Sequence, residues 1–298
     1  METLETLGRR IATTKDLQAI VRTMKSLSAV SIRQYERAVA AQTEYNQTIE
    51  QGLQILLRNA PLPEKAPAPT GRPAAAIVFG SDHGLCGKFN EQVAAFASAE
   101  MRKRATLAAD RHYLAAGAQA GTRLEAMGER IDDVFLLPGA ASGLSATARA
   151  ILLKLDAWQT ERGIGHVLLF HNKRLPEATA TPVMVQLLPL DVGWLRRLSI
   201  RRWPSRGLPT YTLPHDALFA ALIREYLFAG IFRAGAESMA SEHATRLAAM
   251  QAAERNIQEH LEEMNGAFRR RRQQAITEEL LDVVAGFETL TTARGVEP

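Results

Sequence analysis

The residues best equipped for chemistry lie in Gly80-Ser81-Asp82-His83-Gly84-Leu85-Cys86-Gly87-Lys88-Phe89-Asn90, which supplies glycines, a lysine and a thiol three positions from a histidine. The segment follows an apolar run and opens a helical pattern, the place where a phosphate-binding loop sits. Its spacing argues otherwise. A dinucleotide loop needs GxGxxG, and a P-loop needs Ser or Thr after Gly-Lys, whereas Asp stands at position 82 and Phe89 follows Lys88. A structural glycine-rich turn is the preferred reading, with a nucleotide-binding enzyme kept as a rival. His83 and Cys86 have no orienting third group nearby in sequence, so thiolate catalysis is not expected.

A second concentration of charge is Arg269-Arg270-Arg271-Arg272. On a helix four successive residues point in all directions, so they form a solvated or carboxylate-facing collar rather than a groove-reading face, and no nucleic-acid partner is expected. The 7 His and 1 Cys show no ligand spacing, so neither a metal nor another cofactor is expected. A lone cysteine also precludes an internal disulfide and fits a reducing compartment. The net charge of +4 permits an acidic partner without requiring one.

The elements that must position these residues are announced by proline. Pro61 is the first, and none stands between Pro214 and Pro298. Because proline in a helix interior costs about 3 kcal/mol, this divides the chain into a helical head, a punctuated centre and a helical tail. In the head, Leu4, Leu7, Ile11, Leu17, Val21, Met24, Ser28, Ser31, Tyr35, Ala38, Gln42, Tyr45, Ile49, Gly52 and Leu56 recur near the coiled-coil period. About 55 such residues predict a helix of roughly 80 Å. The tail repeats the pattern through Met250, Ile257, Leu261, Met264, Phe268, Ile276, Leu280, Val283, Phe287 and Leu290. It predicts a helix on the order of 110 Å, outreaching the head by several turns.

Between them, residues 61–73 form a proline-rich connector. Strands are expected at Ala74 to Phe79, His112 to Ala116, Val134 to Leu137, His166 to Phe170 and Val183 to Leu188, with helices at Phe89 to Leu107, near Arg123 and at Ala146 to Trp158. Such alternation predicts a small Rossmann-like α/β domain over 74–190 with a largely parallel sheet, followed by a connecting loop at 191–213. The expected fold is therefore α and α/β: shaft helices 1–60 and 214–298 pair as a long antiparallel coiled coil around the insertion, because an amphipathic helix must bury its stripe. No segment approaches the roughly 20 apolar residues of a membrane span, so no direct membrane insertion is expected. The acidic opening METLETLGRR has no apolar h-region and reads as that of a bacterial cytoplasmic protein.

Ser241 to Asn256 (SEHATRLAAMQAAERN) and Gln273 to Leu280 (QQAITEEL) combine small residues with Arg and Glu expected to be exposed, a surface able to slide past changing partners. With SDHGLCGKFN and with Gln18, Ile20, Met24 and Ala29 of the head, these stretches make the chain resemble, along essentially its whole length, the gamma subunit of F-type ATP synthases. The resemblance implies a central rotor shaft that couples ion flow through a membrane c-ring to ATP synthesis or hydrolysis at sites carried by an alpha3beta3 ring. The shaft itself holds no catalytic group. It implies a rotor and stator contact at Arg22, Met24, Lys25, Arg246, Gln273, Thr277 and Glu279, and an apolar bearing tip at Leu280, Val283, Phe287 and Leu290. The α/β domain would be the foot, contacting the epsilon subunit and the ring, peripheral to the cytoplasmic face of the plasma membrane. His83 stands where the family has Arg, Lys88 where it has Gly and Arg269 where it has Asn, departures that suggest a paralogue driving an ATP-powered ion pump. A stand-alone coiled-coil scaffold is the remaining rival.

Overall fold

The computed structural model describes residues 3–58, 73–105, 107–175 and 178–294, leaving out the side chains of residues 178 and 286–294. The connector lies outside the described residues apart from Pro73. Helix α1 runs Leu4–Arg58 and helix α6 runs His215–Arg294. Between them come β1 (Ala74–Phe79), α2 (Phe89–Arg104), β2 (Arg111–Ala116), α3 (Ala118–Ala126), β3 (Ile131–Phe135), α4 (Leu144–Arg162), β4 (His166–Leu175), β5 (Ala178–Leu188) and α5 (Val192–Ile200). The chain forms two compact units, residues 1–26 with 250–298 and residues 27–249, so each long helix contributes to both.

In the larger unit the sheet has the order β3-β2-β1-β4-β5. The pairs β1–β2, β1–β4 and β2–β3 are parallel, and β4–β5 closes an antiparallel edge. Every residue of β1 is buried, as a central strand covered on both faces requires. Its alternation divides the core. Ala74, Ala76 and Val78 join Val93, Ala97 and Met101 of α2 and Leu124 of α3, while Ala75, Ile77 and Phe79 join Ile151, Leu155 and Trp158 of α4 and Ile231 and Ala236 of α6. Close approach of α6 depends on Gly235, where a Cβ would stand 3.0 Å from Phe79 and Leu144 side-chain atoms.

Residues 191–213 are not simply a connecting loop. Asp191 caps α5 by accepting from the Gly193 amide at 2.8 Å, and Leu195 and Leu198 are buried against Ile49, Leu53 and Leu57 of α1. Gly193 in the first turn and the prolines on either side hid the helix. Strand β3 begins three residues earlier than its apolar run suggested, because Asp132 on this edge strand is paired to Arg162 at 2.8 Å and to His112 at 3.0 Å. The β4–β5 hairpin is longer than expected, since its outer part is an exposed edge that tolerates Lys173 and Arg174.

The helix seam also shifts. Leu17 is 50% exposed and Gln18 is buried in its place; Tyr45 is 42% exposed and reaches α6 through its hydroxyl, which donates to Glu225 at 2.6 Å, while Ile49 and Leu53 carry the apolar contact. In the larger unit Ile49, Leu53 and Leu57 meet Phe219, Leu222, Ile223 and Tyr226, an antiparallel register. In the smaller unit Leu7, Ile11 and Leu261 form the core, with Ile257, Met264 and Phe268 half-buried around it, again antiparallel.

Candidate functional site

The GSDHGLCGKFN turn is built to be structural. Gly80 has no room for a side chain, since a Cβ there would lie 2.4 Å from Ala120 Cβ and 2.6 Å from Asn90 Oδ1. Its amide donates to the Ala116 carbonyl, and the Ser81 amide donates to Asn90 Oδ1 at 2.9 Å. The Phe89 amide donates back to the Cys86 carbonyl. Asn90 Nδ2 donates to Ser81 Oγ at 2.8 Å, while Asp82 accepts the amides of Ala118 and Leu137 at 2.9 and 2.7 Å. The amides of Gly80, Ser81 and Phe89 are thus spent on protein acceptors rather than held for a phosphate, which favours the structural reading over the nucleotide rival. Burial pushes the Cys86 thiol up, the wrong direction for a nucleophile.

Arg246 belongs to the larger unit and is buried rather than exposed. One guanidinium nitrogen pairs with Glu242 at 2.7 Å and donates to the carbonyls of His83 and Gly84, each at 3.3 Å. Burial pushes the Glu242 carboxyl up to about 7 against the opposing pull of Arg246, and burial with the Arg246 charge holds His243 down to about 4. His243 stacks on Tyr35 of α1 at 5.7 Å. Ser241 and Ala244 are buried here too, so the first part of the Ser241 to Asn256 stretch is packed surface, not a sliding face. Loop position 83 enters this network through its backbone, with the His83 and Lys88 side chains exposed, so both departures from the family pattern face solvent.

The smaller unit gathers Arg22 and Lys25 on one carboxylate. Glu254 accepts from Arg22 Nε at 2.9 Å and Lys25 Nζ at 2.5 Å, and these bonds, Lys25 first, hold its carboxyl below the usual range. Met24 between them is half-buried, and Gln18 donates to Gln258 at 3.0 Å just below. Further along, Gln273, Thr277 and Glu279 are exposed, with Thr277 Oγ1 donating to the Gln273 carbonyl at 2.9 Å. Gln273 and Thr277 border an open cleft of about 710 Å³ with Thr3 and Leu4. Beyond it Leu280 is 61% and Val283 68% exposed; the side chains of Phe287 and Leu290 lie outside the described residues.

Two partners escaped the sequence reading, Glu242 and Glu254. The first was legible as a Glu-to-Arg pair at i and i+4, but Glu254 needed the register between α1 and α6. Among the described residues no group of His, Cys, Asp and Glu could hold a metal ion. Nor is any described helix long and apolar enough to cross a membrane.

A family model described as ATP synthase matches residues 3–290. A protein of Anaeromyxobacter dehalogenans named ATP synthase gamma chain is 30% identical, covering 97% of this chain and 100% of its own length. One of the same name from a Cyanothece species is 28% identical with the same coverage. Among solved structures, a chain of the Euglena gracilis mitochondrial ATP synthase, in an assembly of OSCP, F1 and c-ring, superposes with a TM-score of 0.67 at 14% identity, over 99% of this chain and 97% of that one. At that identity the likeness is one of fold.

Proposed function

Since this chain belongs to the ATP synthase gamma-chain family, we propose that it is the central rotor shaft of a rotary F-type ATP synthase. The observation that carries this reading is a family match from residue 3 to residue 290, spanning both long helices and the inserted sheet. The shaft couples ion flow through a membrane c-ring to catalytic sites in an alpha3beta3 ring. It acts by differential contact: an asymmetric body that touches each catalytic subunit differently shifts that subunit's open and closed equilibrium, with no catalytic group of its own. The relatives reported above are synthase chains, which does not favour the ATP-driven ion-pump alternative.

Within this reading Arg22, Met24, Lys25, Gln273, Thr277 and Glu279 meet the stator. Arg246 belongs to the same set, acting by holding the His83–Gly84 loop rather than as a free cation. Leu280, Val283, Phe287 and Leu290 form the tip, where non-directional apolar contact can be remade at each angle. The sheet domain is the foot on the epsilon subunit and ring, and the complex places the chain peripherally on the cytoplasmic face of the bacterial plasma membrane.

The test is a reversible crosslink in the assembled complex, with cysteine introduced at Met24 or Thr277 and a partner cysteine on beta. Cys86 is 2% exposed and leaves the readout clean. ATP hydrolysis is expected to stop when the disulfide forms and return on reduction; unchanged turnover refutes rotation of this chain. Gln273→Ala is the sounder companion variant, because Arg246→Ala would strand a buried Glu242 and disturb the fold itself.

A further inference from the structure

The stretch joining β5 to α6 concentrates the charge of the chain. Of the 36 basic and 32 acidic residues, five arginines and one aspartate lie between Asp191 and Leu213, which leaves 31 of each elsewhere. The formal excess of +4 is therefore carried by these 23 residues alone.

Both ends of the stretch are fixed on α1. Leu195 and Leu198 of α5 are buried against Ile49, Leu53 and Leu57, the Arg201 carbonyl accepts from Gln54, and His215 Nε2 lies 3.4 Å from the Leu56 carbonyl oxygen. Between these anchors Trp203 Nε1 donates to Ser205 Oγ and to the Gly207 carbonyl, both at 2.9 Å, which shapes the turn carrying Arg206. Outward it presents two kinds of group. Arg202 and Arg206 are exposed and make no ion pair among the described residues, while Arg197 and Arg201 remain more than half exposed although paired to Asp191 and Glu50. Beside them Ile200 is 83% exposed, and Leu208, Tyr211 and Leu213 are exposed as well. Leu208 and Tyr211 border an open groove of about 430 Å³ with Ile55 and Arg58 of α1, so one more exposed cation stands at this end.

Arginines alone fit any polyanion, and bare aliphatic groups alone fit any apolar surface. An anionic bilayer interface offers both at once: its phosphates match the guanidinium fork, and its acyl boundary receives aliphatic and aromatic side chains. A nucleic-acid backbone or an acidic protein face would leave Ile200, Leu208 and Leu213 without an apolar partner.

We propose that the face running from Arg197 to Leu213 docks directly on an anionic phospholipid surface. This affinity belongs to the chain itself and does not depend on rotation.

Flotation of the full chain with vesicles of phosphatidylglycerol and phosphatidylcholine in equal parts, against phosphatidylcholine alone, tests it. Leu280→Lys is carried throughout, so that the exposed aliphatic end of α6 does not adsorb by itself. Partition into the anionic vesicles is expected to exceed that into the neutral ones by about a hundredfold and to weaken as salt rises. Arg202→Gln with Arg206→Gln should lose about thirtyfold, and Ile200→Ser with Leu208→Ser about tenfold, chiefly in the part that survives high salt. Arg269→Gln with Arg270→Gln makes the same change of charge in the smaller unit and should leave binding unchanged. All six positions are exposed, so the fold is spared. Equal partition into both kinds of vesicle, an equal loss in the Arg269 and Arg270 pair, displacement by millimolar glycerol phosphate, which would mark an isolated phosphate pocket, or preference for a purified c-ring over the vesicles, which would mark a protein contact, each overturns the proposal.

Discussion

The same two helices pair twice, and the two pairings are made differently. In the larger unit the contact is thick: Leu53 and Leu56 are fully buried, and α5 packs on the outside of the seam. In the smaller unit the apolar core is Leu7, Ile11 and Leu261, and it gives way to Gln18 with Gln258 and then to Arg22 and Lys25 on Glu254. A coiled coil with no third element to cover it buries only a narrow stripe, so polar pairs take over part of fixing its register. The thick pairing holds a domain together, and the thin one leaves most of its surface free for other molecules.

Leu53→Ala gives the largest expected break in this contrast. In a site with 0% exposure it should cost about 4 kcal/mol, whereas Ile11→Ala, at 8%, should cost about 2 kcal/mol because solvent and neighbouring side chains can relax into the gap. Denaturant unfolding checks both, and equal costs would erase the distinction.

Next in size is a pH effect confined to the larger unit. His243 is held down to about 4 from an ordinary 6.5, so the folded state resists its protonation. Its contribution is intact above about pH 6.5 and drains as pH falls towards 4, amounting to at most about 3 kcal/mol. Glu242, pushed up to about 7, works in the opposite sense, contributing most below its unfolded value and least above about pH 7. His243→Phe keeps a ring against Tyr35 and leaves Glu242 in place, so the difference between variant and parent isolates the histidine. The variant's relative stability should rise between pH 6.5 and 4 in thermal melts; a constant difference would show that His243 does not titrate with folding.

Smallest is Glu254→Gln in the thin pairing. Arg22 is more than half exposed and the cluster meets solvent, so the loss should be small and shrink further in salt. A larger, salt-insensitive loss would mean that the polar part of the seam is as tightly built as the apolar part.

These cases also show what was legible beforehand. The proline gap, the heptad spacing and the strand alternation carried the two helices, their antiparallel pairing and the parallel core of the sheet, because periodicity reports burial directly. Leu17 and Gln18 mark the limit. Residue type favours the leucine as a seam residue, but the 3.5-residue register set by Leu7, Ile11 and Ser28 places the glutamine inside, and only the facing Gln258 explains why that is tolerated. Arg246 was singled out through the family resemblance, but its burial was not legible, since its partners His83 and Gly84 are 163 and 162 positions away. Short helix α5 was lost between prolines. A cavity behind β4 and β5 left no motif at all, being assembled from residues spread over four elements.

Past the cleft at Gln273, α6 carries Ile276, Leu280, Leu281, Val283 and Val284 at 45% exposure or more. A string of bare aliphatic groups is a hazard for a newly made polypeptide, because it invites end-to-end clumping with other copies. This stretch of α6 is therefore expected to self-associate when nothing covers it: expression of the chain alone should yield concentration-dependent oligomers that Leu280→Lys disperses.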